Sequence, residues 1–234
     1  MKTIFFTCLV TLFSTTYLLA QTPGKESLTE ELNSSDLKLI NSKEFVFMTK
    51  DVLGSAWPEI TYYALIEASP LEAIGIFAAY DIQKDYIPNL IKSKPVKHVS
   101  ATDVLTEYEL KIPFPLPNAH YIHGAKISRF DKDYKIEWYM AESSSTEDVK
   151  GSAYFKEYNG KTFLRYRSYV KPKSIFGGLV KKRMLNDVRE TILAIVNFIE
   201  KNKRENTPLI SKYSEFITRA LSGEFVYQTI IDKK

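Results

Sequence analysis

Residues 173–202, KSIFGGLVKKRMLNDVRETILAIVNFIEKN, decide how the rest of the chain is read. Met184, Leu185, Val188, Ile192, Ile195, Val196 and Ile199 recur at helical spacing and form one apolar stripe, while Lys182, Arg183, Asn186, Arg189, Glu190 and Lys201 fall elsewhere on the wheel. Gly177 and Gly178 interrupt the pattern early, so the helix is expected from about Leu179. Upstream, the chain reads as short alternating strands, and half-buried strands need an apolar object to close on. This helix is that object.

The strands are read from period-two alternation. Residues 44–50 (EFVFMTK) and 60–68 (ITYYALIEA) are expected as the first two. Ser69 then suits an N-cap and Pro70 a first helical position, giving a helix over 71–80 and a short second one over 82–86. Residues 96–101 lead into 103–112, where Val104, Thr106, Tyr108, Leu110 and Ile112 alternate with Glu107, Glu109 and Lys111. Pro113, Pro115 and Pro117 bar a ladder in the following link. Strands are expected at 121–130 and 134–141, a polar loop over 142–150, and a hairpin of 152–158 and 161–170 about the Asn159-Gly160 turn. Residues 208–221 read as a last helix and 224–231 as a strand or tail. Near the start, 27–32 reads as a short helix followed by a linker. Helices set against a run of antiparallel strands make an α+β domain.

Composition is that of an ordinary globular chain, with 13% aromatics supplied almost wholly by 15 Tyr and 14 Phe. A net charge of +4 is too mild to argue for a nucleic-acid partner. Residues 1–20 have the positive start, apolar run and small-residue exit (Leu18-Leu19-Ala20) of a secretory signal, so export to a periplasm or the medium is expected. The single cysteine, Cys8, lies inside that segment, and a mature chain would have neither disulfides nor a cysteine nucleophile. Residues 21–43 then form a polar lead-in, 44–202 the main domain, and 203–234 a C-terminal helix and tail.

This order resembles the helix-grip fold of the START-like (SRPBCC, Bet v 1-like) superfamily, and in layout the StAR-related lipid-transfer domains. The residues that carry the resemblance are Ala68-Ser69-Pro70, the Asp81 to Pro88 segment, Pro113-Phe114-Pro115, and the Asn-Gly hairpin running through Pro172 and Gly177-Gly178 into the long helix. In place of the Arg-Asp pair usual after the proline link, this chain has Ala119-His120-Tyr121. The resemblance implies a curved sheet gripping the long helix, with a deep apolar cavity between them for a lipid, sterol or other hydrophobic molecule. It also implies that a minority of such proteins are cyclases, hydrolases or transferases.

No phosphate-binding glycine loop, nucleophile elbow or metal-spaced histidine pair occurs, so neither cofactor nor metal is expected. His120 and His123 lie three apart on one strand and face opposite ways. Alternation turns Tyr62, Ala64, Ile66, Tyr108, Leu110, Trp138, Met140, Tyr166 and Ser168 inward. His123, Val188 and Ile192 join them as candidate ligand contacts. Glu107, Glu109, Arg165 and Arg167 are expected on the wet face. Phe176, Leu179, Lys181, Lys182 and Arg183, with Phe114 and Leu116 of the proline link, have the mix of apolar and cationic groups suited to a gate docking on an anionic membrane. The leading expectation is therefore an exported, monomeric binder of an apolar molecule. An enzyme using His123 and tyrosines as acid and base, or an envelope module that binds a protein partner, are the alternatives.

Overall fold

The computed structural model describes residues 29–55, 57–112, 114, 117–173 and 181–229. The expected signal segment, and residues 27–28, lie outside them. Residues 29–32 close a turn, the Leu32 amide donating to the Thr29 carbonyl at 3.0 Å. A compact unit extends from Asn33 onward. It opens with a helix, α1 (Ser34–Asn41), where a linker was expected. The reason is a capping box: the Asn33 side chain accepts from the Ser35 and Asp36 amides, and Asp36 accepts from the Asn33 amide at 3.0 Å.

Eight strands follow: β1 (Val46–Lys50), β2 (Glu59–Ile66), β3 (Leu90–Ser100), β4 (Asp103–Leu110), β5 (Ala119–Phe130), β6 (Asp133–Ser143), β7 (Thr146–Tyr158) and β8 (Lys161–Pro172). They form one curved antiparallel sheet in the order β1-β2-β8-β7-β6-β5-β4-β3. From β2 the chain leaves the sheet through α2 (Pro70–Phe77) and a 3₁₀ turn (Gln83–Asp85), and re-enters at the far edge as β3. Ser69 caps α2 and Pro70 sits in its first turn, as the sequence indicates. The helix α3 (Lys181–Glu205) and a final helix α4 (Thr207–Leu221) complete the element order.

Three local readings are corrected. β3 begins at Leu90, not Val96: Pro95 lies inside it, tolerated because β3 is an edge strand paired only with β4, with a bulge just after the proline. Residues 142–150 are not a loop; β6 and β7 run through them to a tight turn at Ser144-Ser145, where the Ser143 hydroxyl accepts from the Ser145 and Thr146 amides at 3.2 and 3.0 Å. Arg165 is not on a wet face. It is 4% exposed, set in register between Tyr63 of β2 and Tyr154 of β7, both also buried. The Asn159-Gly160 hairpin is as read, both residues having positive φ (52° and 77°) as a type I′ turn requires.

The C-terminal segment is core, not appendage. Ile210, Tyr213, Ile217 and Ala220 of α4 are buried, and Tyr227 beyond it donates its hydroxyl to the Ala78 carbonyl. Helix α4 crosses α2 at Gly75 so closely that a Cβ there would lie 3.0 Å from the Ser214 nitrogen and the Tyr213 carbonyl carbon. Residues 224–229 form a tail without strand pairing.

Candidate functional site

The concave face of the sheet is divided into two parts. In one, side chains from the sheet mesh with the helices: Ile66, Ile136, Ala153, Phe155 and Leu164 meet Ile74 and Phe77 of α2 and Ile192, Ile195, Val196 and Ile199 of α3 in a single buried cluster. Polar links hold this part shut. The Glu67 amide donates to the Glu200 carboxylate of α3 at 3.0 Å, and Lys203 of α3 pairs with Glu72 of α2 at 2.5 Å. In the other part, residues of the same inward alternation keep accessible surface: Tyr108, Leu110, Tyr121, His123, Trp138, Met140, Tyr166 and Val170 are all only half-buried.

Rings dominate that second part. Tyr62 and Tyr166 oppose each other across β2 and β8, and Trp138 stacks on Tyr166 with centroids 5.0 Å apart. Trp138 also reaches Phe77 of α2 at 6.3 Å. Tyr108 and Tyr121 are paired across β4 and β5, with centroids 5.4 Å apart, and His123 lies 4.4 Å from Tyr121 and 5.8 Å from Tyr108. A bulge between Ile122 and His123, opposite β6, accompanies this grouping. Pairs of this kind contribute about 0.5–1.5 kcal/mol each beyond area burial, so the rings hold one another in place.

The polar atoms here are sparse and uncharged. The Tyr108 hydroxyl donates to Gln83 Oε1 at 2.8 Å, and Gln83 Nε2 donates to the Phe77 carbonyl at 2.8 Å. Among the described residues, His123 Nε2 here, and Tyr62 Oη and Tyr80 Oη in the buried cluster, are buried with no hydrogen-bond partner. Burial alone pushes the His123 imidazole down to about 4, so it is neutral at physiological pH. Burial raises the Tyr166 phenol to about 12 and those of Tyr62, Tyr108 and Tyr121 above the usual range. An array of neutral donors and acceptors among aromatic walls can hold an apolar molecule and orient one polar group. Such a site offers no charged acid–base pair.

Of the candidate contacts read from the sequence, Tyr108, Leu110, His123, Trp138, Met140, Tyr166 and Val188 keep accessible surface, the first six of them on the inward alternation. Ile66 and Ile192 do not: at 0% and 1% exposure they belong to the sealed cluster, where α2 fills the space the sequence leaves open. Tyr62, at 0% exposure, belongs to that cluster too, and Ser168 is buried. The alternation also carries Thr106 and Tyr121, and Thr106 is buried beside the Tyr108 hydroxyl. Gln83 was not legible as a site residue, because only the tertiary course of the 3₁₀ turn brings it to Tyr108. Among the gate candidates, Phe114 is fully exposed, Lys182 exposed and Lys181 half-buried. Leu116, Phe176, Leu179 and the Arg183 side chain lie outside the described residues.

A separate polar cleft of ≈ 220 Å³ lies along β4, β5 and β6, lined by Glu107, His120, Tyr121, Ile122, Glu142, Ser143 and Ser144. Its carboxylates are on the outward alternation, and Tyr121 belongs both to its lining and to the ring group. Among the described residues, no three His, Cys, Asp or Glu side chains are grouped to hold a metal ion, and no helix is long and apolar enough to cross a membrane.

No protein-family model and no curated protein matches the sequence. The fold does match solved structures. A STAR-related lipid transfer protein from Xanthomonas axonopodis superposes with a TM-score of 0.60 at 13% identity, over 66% of this chain and 93% of that one. Human StAR-related lipid transfer protein 5 gives 0.60 at 7% identity, over 69% and 84%. The Zhui aromatase/cyclase from Streptomyces gives 0.53 at 10%, over 63% and 96%. At such identities the likeness establishes the fold alone: an eight-stranded antiparallel START-like helix grip, an architecture that solved lipid-transfer proteins and at least one enzyme share.

Proposed function

We propose that this chain encloses one lipid or similarly apolar molecule between the ring-lined part of its sheet and the N-terminal half of α3, and carries it without altering it. The observation that supports this is the division of the concave face. Half-buried aromatic rings, with the unpartnered His123 Nε2 among them, occupy one part, while the side chains of the other form a buried cluster. Burial of the guest's apolar surface, at about 25 cal/mol per Å², supplies the driving force. The solved lipid-transfer proteins of this fold point the same way. Native mass spectrometry of gently purified protein, with solvent extraction of whatever it holds, tests the reading. A chain that neither retains nor takes up any apolar molecule overturns it.

Export through residues 1–20 and gating by the segment around Phe176 to Arg183 complete the proposal. The first is tested by N-terminal sequencing of the mature protein. The second is tested by transfer between vesicles with and without anionic lipid. An enzyme is the second reading, favoured by the aromatase/cyclase structure and by one neutral imidazole, His123, among tyrosines. It requires turnover that His123→Ala abolishes.

A further inference from the structure

The chemistry of the ring-lined face narrows what the guest is, on the premise that the face holds one. Along the inward alternation, Ile60 to Ile66 of β2, Val104 to Leu110 of β4, Tyr121 to Ile127 of β5, Tyr134 to Met140 of β6 and Leu164 to Val170 of β8 carry no Asp, Glu, Lys or Arg. Every polar group they present is a hydroxyl, the Trp138 indole N–H or the His123 imidazole. The acids and bases that alternate with these residues point the other way. Glu107 pairs with Lys92 at 2.6 Å, and Glu109 receives Asn118 at 3.0 Å. On α3, Arg189 is exposed and its charge acts on the Tyr62 hydroxyl.

We infer that the guest is a neutral molecule whose single buried polar function is a hydroxyl or carbonyl, received by the imidazole of His123 beside Tyr108 and Tyr121, and that the site discriminates against the same skeleton bearing a charge. Among the described residues, His123 Nε2 is buried without a partner. A neutral imidazole has one donor and one acceptor nitrogen, so it serves an alcohol or a carbonyl equally. Among the described residues, the inward sheet positions offer an ionised head no counter-charge, so against this face it would lose its hydration uncompensated. A carboxylate could enter only after taking up a proton, so its binding would weaken about tenfold for each pH unit above its own pKa.

Retinol, retinal and retinoate share one skeleton and absorb where tryptophan emits, so quenching of Trp138 reads their binding to the full chain directly. At pH 7.4 retinol and retinal are expected to bind at least tenfold more tightly than retinoate, and retinoate binding is expected to strengthen steadily as the pH falls to 5.5. His123→Phe, checked for folding by circular dichroism, is expected to lose at least fivefold in retinol affinity, and His123→Gln, which keeps a donor and an acceptor, to recover most of it. Equal affinity for retinol and retinoate, with no pH slope, overturns the inference and leaves the carrier reading standing; loss of the retinoate in Arg189→Ala would then identify the exposed guanidinium as its partner. Undiminished retinol binding in His123→Phe overturns the role of the imidazole. Failure of all three retinoids, and of hexadecanol in competition, to bind overturns carrier and inference together.

Discussion

Gly75 is where the docking of α4 on α2 is most sharply testable, because two effects of opposite sign meet there. A glycine inside a helix is about 0.8–1.0 kcal/mol worse than alanine, so Gly75→Ala on an open helix face would stabilise the protein by that amount. In this fold the added Cβ would lie 3.0 Å from the Ser214 nitrogen, 3.0 Å from the Tyr213 carbonyl carbon and 3.1 Å from its oxygen. Those distances fall roughly 0.5 Å inside the 3.5–4.0 Å optimum. All three atoms are backbone of a helix whose inner face is buried at Ile210, Tyr213, Ile217 and Ala220. No side chain can swing aside, so the helices must separate, at the 1–3 kcal/mol typical of overpacking. The crowding wins: Gly75→Ala is expected to be net destabilising by about 1 kcal/mol, and Gly75→Val by at least about 2, with the branched side chain adding its own helix cost. Urea titration followed by far-UV circular dichroism measures both, the midpoint moving while the slope holds. A Gly75→Ala protein more stable than its parent would refute the close crossing, and with it the claim that residues beyond 203 belong to the core.

Acid stability should carry a signature of His123. The unfolded imidazole takes up a proton near pH 6.5 and the folded one only near 4, so the unfolded state binds more protons between those values. Stability is therefore full above about pH 6.5 and falls by up to about 3 kcal/mol toward pH 4; His123→Gln should flatten that limb in a series of thermal melts. Thr162→Val removes a 2.7 Å hydrogen bond to the Ala68 carbonyl at a fully buried side chain, leaving that acceptor unpaired, and should cost about 1–3 kcal/mol in denaturant unfolding. Gly151→Ala would drive a methyl group into the indole of Trp138 and the carbonyl oxygen of Arg167. Its expected result is a shifted Trp138 emission and weakened binding of any apolar probe, together with a stability loss of about 1–3 kcal/mol. Unchanged emission would mean that the ring does not rest on Gly151.

What the sequence disclosed follows the strength of its periodic signal. Strand alternation is a local property, and it placed Tyr62, Tyr108, Trp138, Met140 and Tyr166 on one face, because a pleat has no freedom to do otherwise. The stop at Ser69-Pro70 and the turn at Asn159-Gly160 were equally legible, each being fixed by backbone chemistry within four residues. Pro95 and the serines of 143–145 misled, since proline in an edge strand and a serine-bonded turn both look like loop until the neighbouring strands are known. Burial of Arg165 and the docking of α4 depend on surfaces far apart in the chain. A helix with Ile210, Tyr213, Ile217 and Ala220 on one stripe announces that it needs a partner, but nothing local names α2 as that partner.

The same distinction explains why Ile66 and Ile192 left the candidate site while His123 stayed. Apolar aliphatic side chains carry no mark that separates a wall from a filling. Ile66 and Ile192 turn inward, and α2 decides that they are filled over. Rings behave differently. Tyr108, Tyr121, Trp138 and Tyr166 each have two side-chain torsions and are braced by neighbours at 5.0–5.4 Å, so they cannot collapse into a gap as leucines would. Polar atoms among them must also find partners: the Tyr108 hydroxyl has Gln83, whereas among the described residues His123 Nε2 has none, a cost that a bound polar group would offset. A sheet face built for stability alone would put aliphatic residues at these positions and seal both parts alike. Stiff, half-buried rings beside a sealed cluster leave surface on the sheet that an aliphatic face would have closed.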